Sequence, residues 1–212
     1  MTNVLVCVKR VPDVSGEVLL ADDAQSVDAR YVGFTVSAHE SCAVELAVQI
    51  GQEVTALTVG PAEAVEQLRS ALGVGCTAAV LVEADTVGFG PADVAREIAA
   101  VVAAHEATGR RHDLILLGND AADTGDFQVG IRLAHELGRP VVNGVKTVEV
   151  ADGVVIARGD GPDGGQRHPE GLHAAVGEAF SAYGGAVWAT AAQAAQEPTG
   201  AAAVTAAGTP RG

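Results

Sequence analysis

Apolar residues in this chain fall into short, nearly unbroken runs, separated by longer segments where they recur every three or four positions. Asn3–Lys9 carries Val4, Leu5, Val6, Cys7 and Val8 without a polar break, the pattern of a strand buried on both faces of a parallel sheet. Pro12 and Asp13 end it. Glu53–Val59, Ala78–Val82 and Asp113–Leu117 repeat the pattern. Between these runs the period changes to that of a helix. Ser37-Ala-His-Glu40 has the S-x-x-E spacing of a capping box and predicts a helix through Leu46 to about Gln49. Gly60-Pro61 introduces Ala62–Leu72, with Val65, Leu68 and Leu72 on one side, and Gly90-Pro91 opens a helix striped by Val94, Ile98, Val101 and Val102. After a polar loop, Gly118–Gly125, a further helix over Asp126–Leu137 is ended by Gly138 and Pro140.

Strands alternating with helices over short connections predict an α/β fold of three layers. Right-handed crossovers place helices on both faces of a mainly parallel sheet. Two departures from the alternation are expected. Gly16–Leu20 and Tyr31–Thr35 flank an acidic, turn-rich stretch at Ala21–Asp28, a small hairpin excursion near one sheet edge. Val145–Val150 and Val154–Ala157, joined around Ala151-Asp-Gly153, form an edge hairpin, because Asp-Gly accepts the positive backbone angles of a tight turn. From Gly159 the character changes. Gly159–Gly171 is dense in Gly, Pro and Asp, and Ala189–Gly212 is mostly Ala, Gly, Thr, Gln and Pro. Leu172–Ala192 holds Val176, Phe180, Tyr183, Val187 and Trp188 without strand alternation, and fits a helix or disorder equally. The expected organisation is an α/β domain over residues 1–158 and a partly disordered Gly/Ala/Pro-rich segment over 159–212.

Composition narrows the function. Thirteen basic against 27 acidic residues give a formal charge of −14, which repels nucleic-acid backbones and anionic membranes. Aromatic residues make up 3%, too few for a base-stacking platform. The apolar runs are strand-sized, so no membrane insertion is expected. Met1 leads directly into a strand-like run without the pattern of a secretory signal, and a cytoplasmic location is the expectation. Cys7, Cys42 and Cys76 lack metal-binding or redox spacing and read as small buried residues. The six histidines form no H-E-x-x-H array, and no phosphate loop, G-x-G-x-x-G or G-x-S-x-G elbow is present. Such a chain reads as a binding module without catalytic residues of its own, whose redox chemistry, if any, comes from a bound cofactor.

Ligands of parallel α/β sheets bind at the carboxyl ends of the strands. The segments to inspect are therefore Lys9–Asp13, Val59–Ala62 and Gly118–Gly130. Gly118 and Gly125 permit close backbone approach, and amides around Phe127–Val129 can receive a phosphate, with Gln128 as an added donor. Asp120, Asp123 and Asp126 read either as a solvated helix-capping turn or as acceptors for ribose hydroxyls; as ligands for a divalent cation they lack the EF-hand pattern, and no metal site is expected.

Several of these segments carry a family resemblance. Val4-Leu-Val-Cys-Val-Lys-Arg-Val-Pro-Asp13 resembles the opening strand and turn of electron transfer flavoprotein beta subunits. Glu40–Ala47, Val59–Ala62, Leu68–Gly75 and Leu116–Gly130 are similar, in the same order, to the family's E-x-x-AVEEA helix, GPA turn, LRxALAxGA segment and nucleotide-wrapping loop. The resemblance covers about residues 3–158. It implies a Rossmann-like fold that binds AMP, or in some members a second FAD, and pairs with an alpha subunit holding most of the shared FAD. It further implies electrons arriving from acyl-CoA or similar dehydrogenases and leaving towards the respiratory chain. By matching position the nucleotide contacts fall on Cys7, on Ser37, Ala38, His39 and Glu40, and on Val59. In the long loop they fall on Gly118, Asn119, Asp120, Ala121, Asp123, Gly125, Phe127, Gln128 and Val129. The chain departs from the family at Ser37–Glu40, Asn119-Asp120 and Phe127, and the family's docking arm is not recognisable after Gly159. On the residues alone, a stand-alone adenine-nucleotide-binding stress or sensor domain and a small nucleotide-dependent hydrolase or ligase stay open as alternatives.

Overall fold

The computed structural model describes residues 2–24, 26–151, 154–159, 186–190 and 202–203. Its framework alternates as β1 (Asn3–Cys7), α1 (Ala38–Ile50), β4 (Glu53–Gly60), α2 (Val65–Val74), β5 (Ala78–Glu83), α3 (Pro91–Ala107), β6 (Leu114–Gly118) and α4 (Val129–Leu137). Short strands β2 (Val11–Pro12) and β3 (Phe34–Thr35) interrupt it early, and β7 (Val141–Ala151), β8 (Val154–Gly159), β9 (Ala186–Thr190) and β10 (Ala202–Ala203) follow it.

The main sheet has the order β10-β8-β7-β9-β6-β1-β4-β5. From β7 through to β5 every neighbouring pair is parallel, and only the β7–β8 and β8–β10 ladders are antiparallel. The unbroken apolar runs are explained by burial on two faces at once. Val4, Val6, Leu114 and Leu116 pack with Ala43, Val44 and Ala47 of α1 and Leu68 and Ala71 of α2. The alternate residues Leu5, Cys7, Ile115 and Leu117 pack with Ile98 and Val102 of α3 and Leu133 of α4. The result is a three-layer, Rossmann-like α/β fold in which every described side chain of β1 and β6 short of their ends is removed from water.

Four expectations change. The segment Leu172–Ala192, which fitted a helix or disorder, contains β9 at 186–190, and this strand lies parallel between β6 and β7. The helix expected from Asp126 begins at Val129, with Gln128 as its N-cap, because Phe127 turns to φ 53° immediately before it. The early excursion has its ladder at Val11–Pro12 against Phe34–Thr35, with one inner bridge between Leu20 and Val27, and Gly16–Val18 lie outside any strand. The β7–β8 hairpin is present but is not outermost, since Ala202–Ala203 pairs with β8. The expectations for Asp152-Gly153, for Gly159–Gly171 beyond its first residue, for most of Ala189–Gly212 and for the family's docking arm fall outside the described residues.

A buried polar cluster closes the amino end of the sheet. His112, just before β6, is 2% exposed, and its Nε2 lies 2.8 Å from Nδ1 of His105 in the last turn of α3. Arg139, following α4, donates to the His112 carbonyl at 3.2 Å and pairs with Glu106 at 2.6 Å. Burial, aided by the neighbouring His105, Arg139 and Arg110, pushes the His112 imidazole down to about 4. A shared hydrogen bond between the rings needs one bare nitrogen, which protonation of both rings removes.

Candidate functional site

The chain leaves β1 towards β4 on one side and returns from β5 to β6 on the other, so the order reverses at β1. At such a switch point the loops diverge and leave a crevice beyond the carboxyl ends of the strands. A cavity of about 300 Å³ lies there. Its walls come from the exit of β1, the end of β4, the start of α3, the end of β6 and most of the loop into α4.

The end of β6 packs directly on the first turn of α1. A β-carbon placed on Gly118 would stand 2.6 Å from Cγ of Glu40 and 3.0 Å from its amide nitrogen, so only glycine fits. Glu40 itself is 6% exposed and lines the cavity. Its Oε2 accepts a hydrogen bond from the Ser37 amide at 3.0 Å and another from the Ser37 hydroxyl. The expected capping box is present, and within it the Ser37 hydroxyl also donates to the carboxylate. Burial holds the Glu40 carboxyl up at about 7, against the pull of Ser37 and of Lys9. Cys7 is buried beside it, and burial, with Glu40 adding to it, pushes the thiol up to about 12.

Two cations leave β1 along the cavity wall. Lys9 pairs with Asp123 across it at 2.7 Å, tying the strand exit to the long loop. Arg10 lays its guanidinium 3.2 Å above the Phe34 ring, where burial lowers its pKa against the pull of Glu63 and Glu66. On the opposite wall, Gln128 accepts from Arg132 at 3.1 and 2.8 Å through its side-chain oxygen. That leaves its amide NH₂ free to donate. Helix α4 has no acidic residue in its first turn, whereas α1 and α3 carry Glu40 and Asp93 there. Oδ1 of Asp120 is buried in the cavity wall with no hydrogen-bond partner among the described residues, an acceptor suited to a hydroxyl.

Of the positions carried over by resemblance, Cys7, Glu40, Val59, Gly118, Asn119, Asp120, Ala121, Asp123, Phe127, Gln128 and Val129 line this one cavity. Ser37, Ala38, His39 and Gly125 do not: Ser37 is buried behind Glu40 as its hydrogen-bond donor, and Gly125 turns the loop at φ 62°. Sequence reasoning missed the wall made by Thr86, Phe89, Gly90, Pro91 and Val94. The signal was available, since these residues also follow a parallel strand, β5. Among the described residues no group of three or more His, Cys, Asp or Glu side chains is placed to hold a metal ion, and no helix is long and apolar enough to cross a membrane.

Comparison with known proteins places these features in a family. Residues 26–160 match the electron transfer flavoprotein domain. The chain is 33% identical to the electron transfer flavoprotein subunit beta of Syntrophomonas wolfei, over 84% of this chain and 70% of that protein. It is 32% identical to the caffeyl-CoA reductase-Etf complex subunit CarD of Acetobacterium woodii, over 76% of this chain and 62% of the relative. With the electron transfer flavoprotein subunit beta of Mycobacterium leprae it shares 30% identity, over 77% of this chain and 64% of the relative. In the latter two cases the match spans less than two thirds of the relative's length.

Proposed function

The chain belongs to the electron transfer flavoprotein family, on its beta-subunit side, and on that premise we propose that it works in the cytoplasm as the nucleotide-binding half of a heterodimeric electron carrier. Its partner in this reading is an alpha subunit that holds most of a shared FAD. The observation that carries the reading is the coincidence of two features: four of the five segments that resemble the family in sequence contribute residues to the switch-point cavity.

The cavity's own chemistry supports an adenine nucleotide. Its volume, about 300 Å³, stands at the lower end of the range of small-molecule sites, which suits AMP better than an entire second FAD. The uncapped first turn of α4 and the Gln128 amide supply donors for a phosphate. Asp120 supplies the free acceptor for a ribose hydroxyl. Between them the apolar residues Val59, Val94 and Leu117 offer a face for the base. FAD bound with the alpha subunit supplies the redox chemistry. This chain's residues bind and orient, and none of them is assigned a proton-transfer or nucleophilic step. Electron donors are then acyl-CoA or similar dehydrogenases; relatives named as subunits of caffeyl-CoA and acryloyl-CoA reductase systems connect such chains to CoA-thioester chemistry in the reducing direction.

Co-expression with an electron transfer flavoprotein alpha subunit tests the proposal. A yellow heterodimer with a flavin spectrum, releasing AMP on denaturation, is the expected product. A colourless chain that ignores the alpha subunit and associates with itself would instead support a stand-alone nucleotide sensor. Within the heterodimer, Gln128→Ala is expected to lower AMP retention severalfold, roughly 1 kcal/mol for one lost hydrogen bond to a phosphate, read by mass spectrometry of the released ligand. Full retention would move the phosphate away from α4.

A further inference from the structure

We propose that occupation of the switch-point cavity fixes a proton on Glu40, making the binding of an anionic nucleotide proton-coupled. The inference rests on the nucleotide reading above and adds to it a named residue and a direction. Glu40 lines the cavity, is 6% exposed, and has both of its hydrogen-bond donors, the Ser37 amide and hydroxyl, on Oε2. Oε1 receives no hydrogen bond among the described residues.

The groups facing this carboxyl leave it poorly compensated. From β1 and its exit come the neutral thiol of Cys7 and the ammonium of Lys9. From the β6–α4 loop comes Asp123, a second carboxylate, which already holds Lys9 at 2.7 Å. Asp120 places its carbonyl 3.4 Å from the Ser37 hydroxyl. The end of β6 presents Gly118, without a side chain, while β4 and β7 pack on α1 through Val54, Ala56, Val145 and Val148. Two carboxylates therefore share one ammonium, and the ionisation of Glu40 is already disfavoured by burial.

A nucleotide worsens both terms. Filling the cavity keeps solvent from the Glu40 carboxyl that lines it, and the ligand's phosphate adds negative charge to a space that already holds Asp120, Asp123 and Asp126. Proton and ligand therefore favour one another, and by linkage the effect is reciprocal. A ligand group donating a hydrogen bond to Oε1 would act in the opposite sense, favouring the carboxylate, so the sign of proton exchange decides between them.

The test is isothermal calorimetry of AMP binding to the full chain at pH 8, in buffers of different ionisation enthalpy. At this pH the phosphate is past its own second ionisation, near 6. Uptake approaching one proton per AMP is expected, with affinity falling up to about tenfold per pH unit between 7 and 8.5. Glu40→Gln keeps a side chain accepted in the capping box and is expected to bind AMP with no proton uptake and no pH slope in that range. Should the variant fail to fold, the proton count on the native chain still decides. AMP binding with no proton exchange, or with release, would overturn the inference while leaving the nucleotide site intact. Absence of AMP binding at every pH would overturn the nucleotide reading, and this inference with it.

Discussion

Substituting Gly118 by alanine is expected to destabilise the protein by about 1–3 kcal/mol and to reduce its nucleotide content, with valine worse than alanine. The added carbon meets Glu40 Cγ at 2.6 Å and the Glu40 amide nitrogen at 3.0 Å, and a backbone neighbour cannot rotate away as a side-chain tip can. Either the first turn of α1 or the end of β6 must move, and overpacking of this kind costs on that order. Both elements frame the cavity, so the displacement also reaches the ligand. Denaturant midpoints and released AMP measure the two effects together. An alanine variant as stable as the parent would show that β6 and α1 are not in the contact described.

The second large effect is a pair of opposed pH dependences. His112 titrates at about 4 in the fold against its ordinary 6.5. Between these values the unfolded chain binds a proton that the fold excludes, so this contribution is complete above pH 6.5 and is lost as pH falls towards 4. Glu40 titrates at about 7 against its ordinary 4.5. Here the fold keeps a proton that the unfolded chain has released, so its contribution is complete below pH 4.5 and is lost as pH rises towards 7. Each amounts to roughly 3 kcal/mol at its limit, and over pH 4.5–6.5 the two slopes largely cancel. Single variants separate them. Relative to the parent, Glu40→Gln is expected to gain stability as pH rises from 4.5 to 7, whereas His112→Asn gains it as pH falls from 6.5 to 4. Urea titrations across pH 4–8 read both differences, and a difference that is flat with pH for either variant would dismiss the corresponding assignment.

What could be read in advance follows a physical boundary between local and non-local determinants. Strands β1 and β6 were legible because burial on both faces demands an unbroken apolar run, and Val4–Val8 and Leu114–Leu117 supply it. Helix α1 was legible because Ser37 and Glu40 stand at the spacing of a cap. Strand β9 was not: Ala186–Thr190 is short and alanine-rich, and its place is set by β6 and β7, more than 30 residues upstream. The start of α4 moved because the backbone turn at Phe127 has no glycine or asparagine to announce it. For the site, the rule that ligands gather at strand ends led to the crevice where the cavity lies, and the motif match supplied most of one wall. The wall from Thr86 to Val94 was overlooked because β5 is an edge strand, yet α3 carries its following segment back across the switch point.

The position of β9 has a consequence for how the molecule is made. Strands β6 and β7 have no ladder with each other, and the slot between them is filled by residues 186–190. A chain growing from its amino end completes the β5–β4–β1–β6 half and the β7–β8 hairpin before the segment that joins them exists. Until then β6 presents an open parallel edge of Leu114–Gly118, a surface that another nascent chain can also pair with. Closure of the sheet is thus postponed until residues 186–190 have been made, and protection of that edge, during folding in the cell, rests on whatever holds it before β9 arrives.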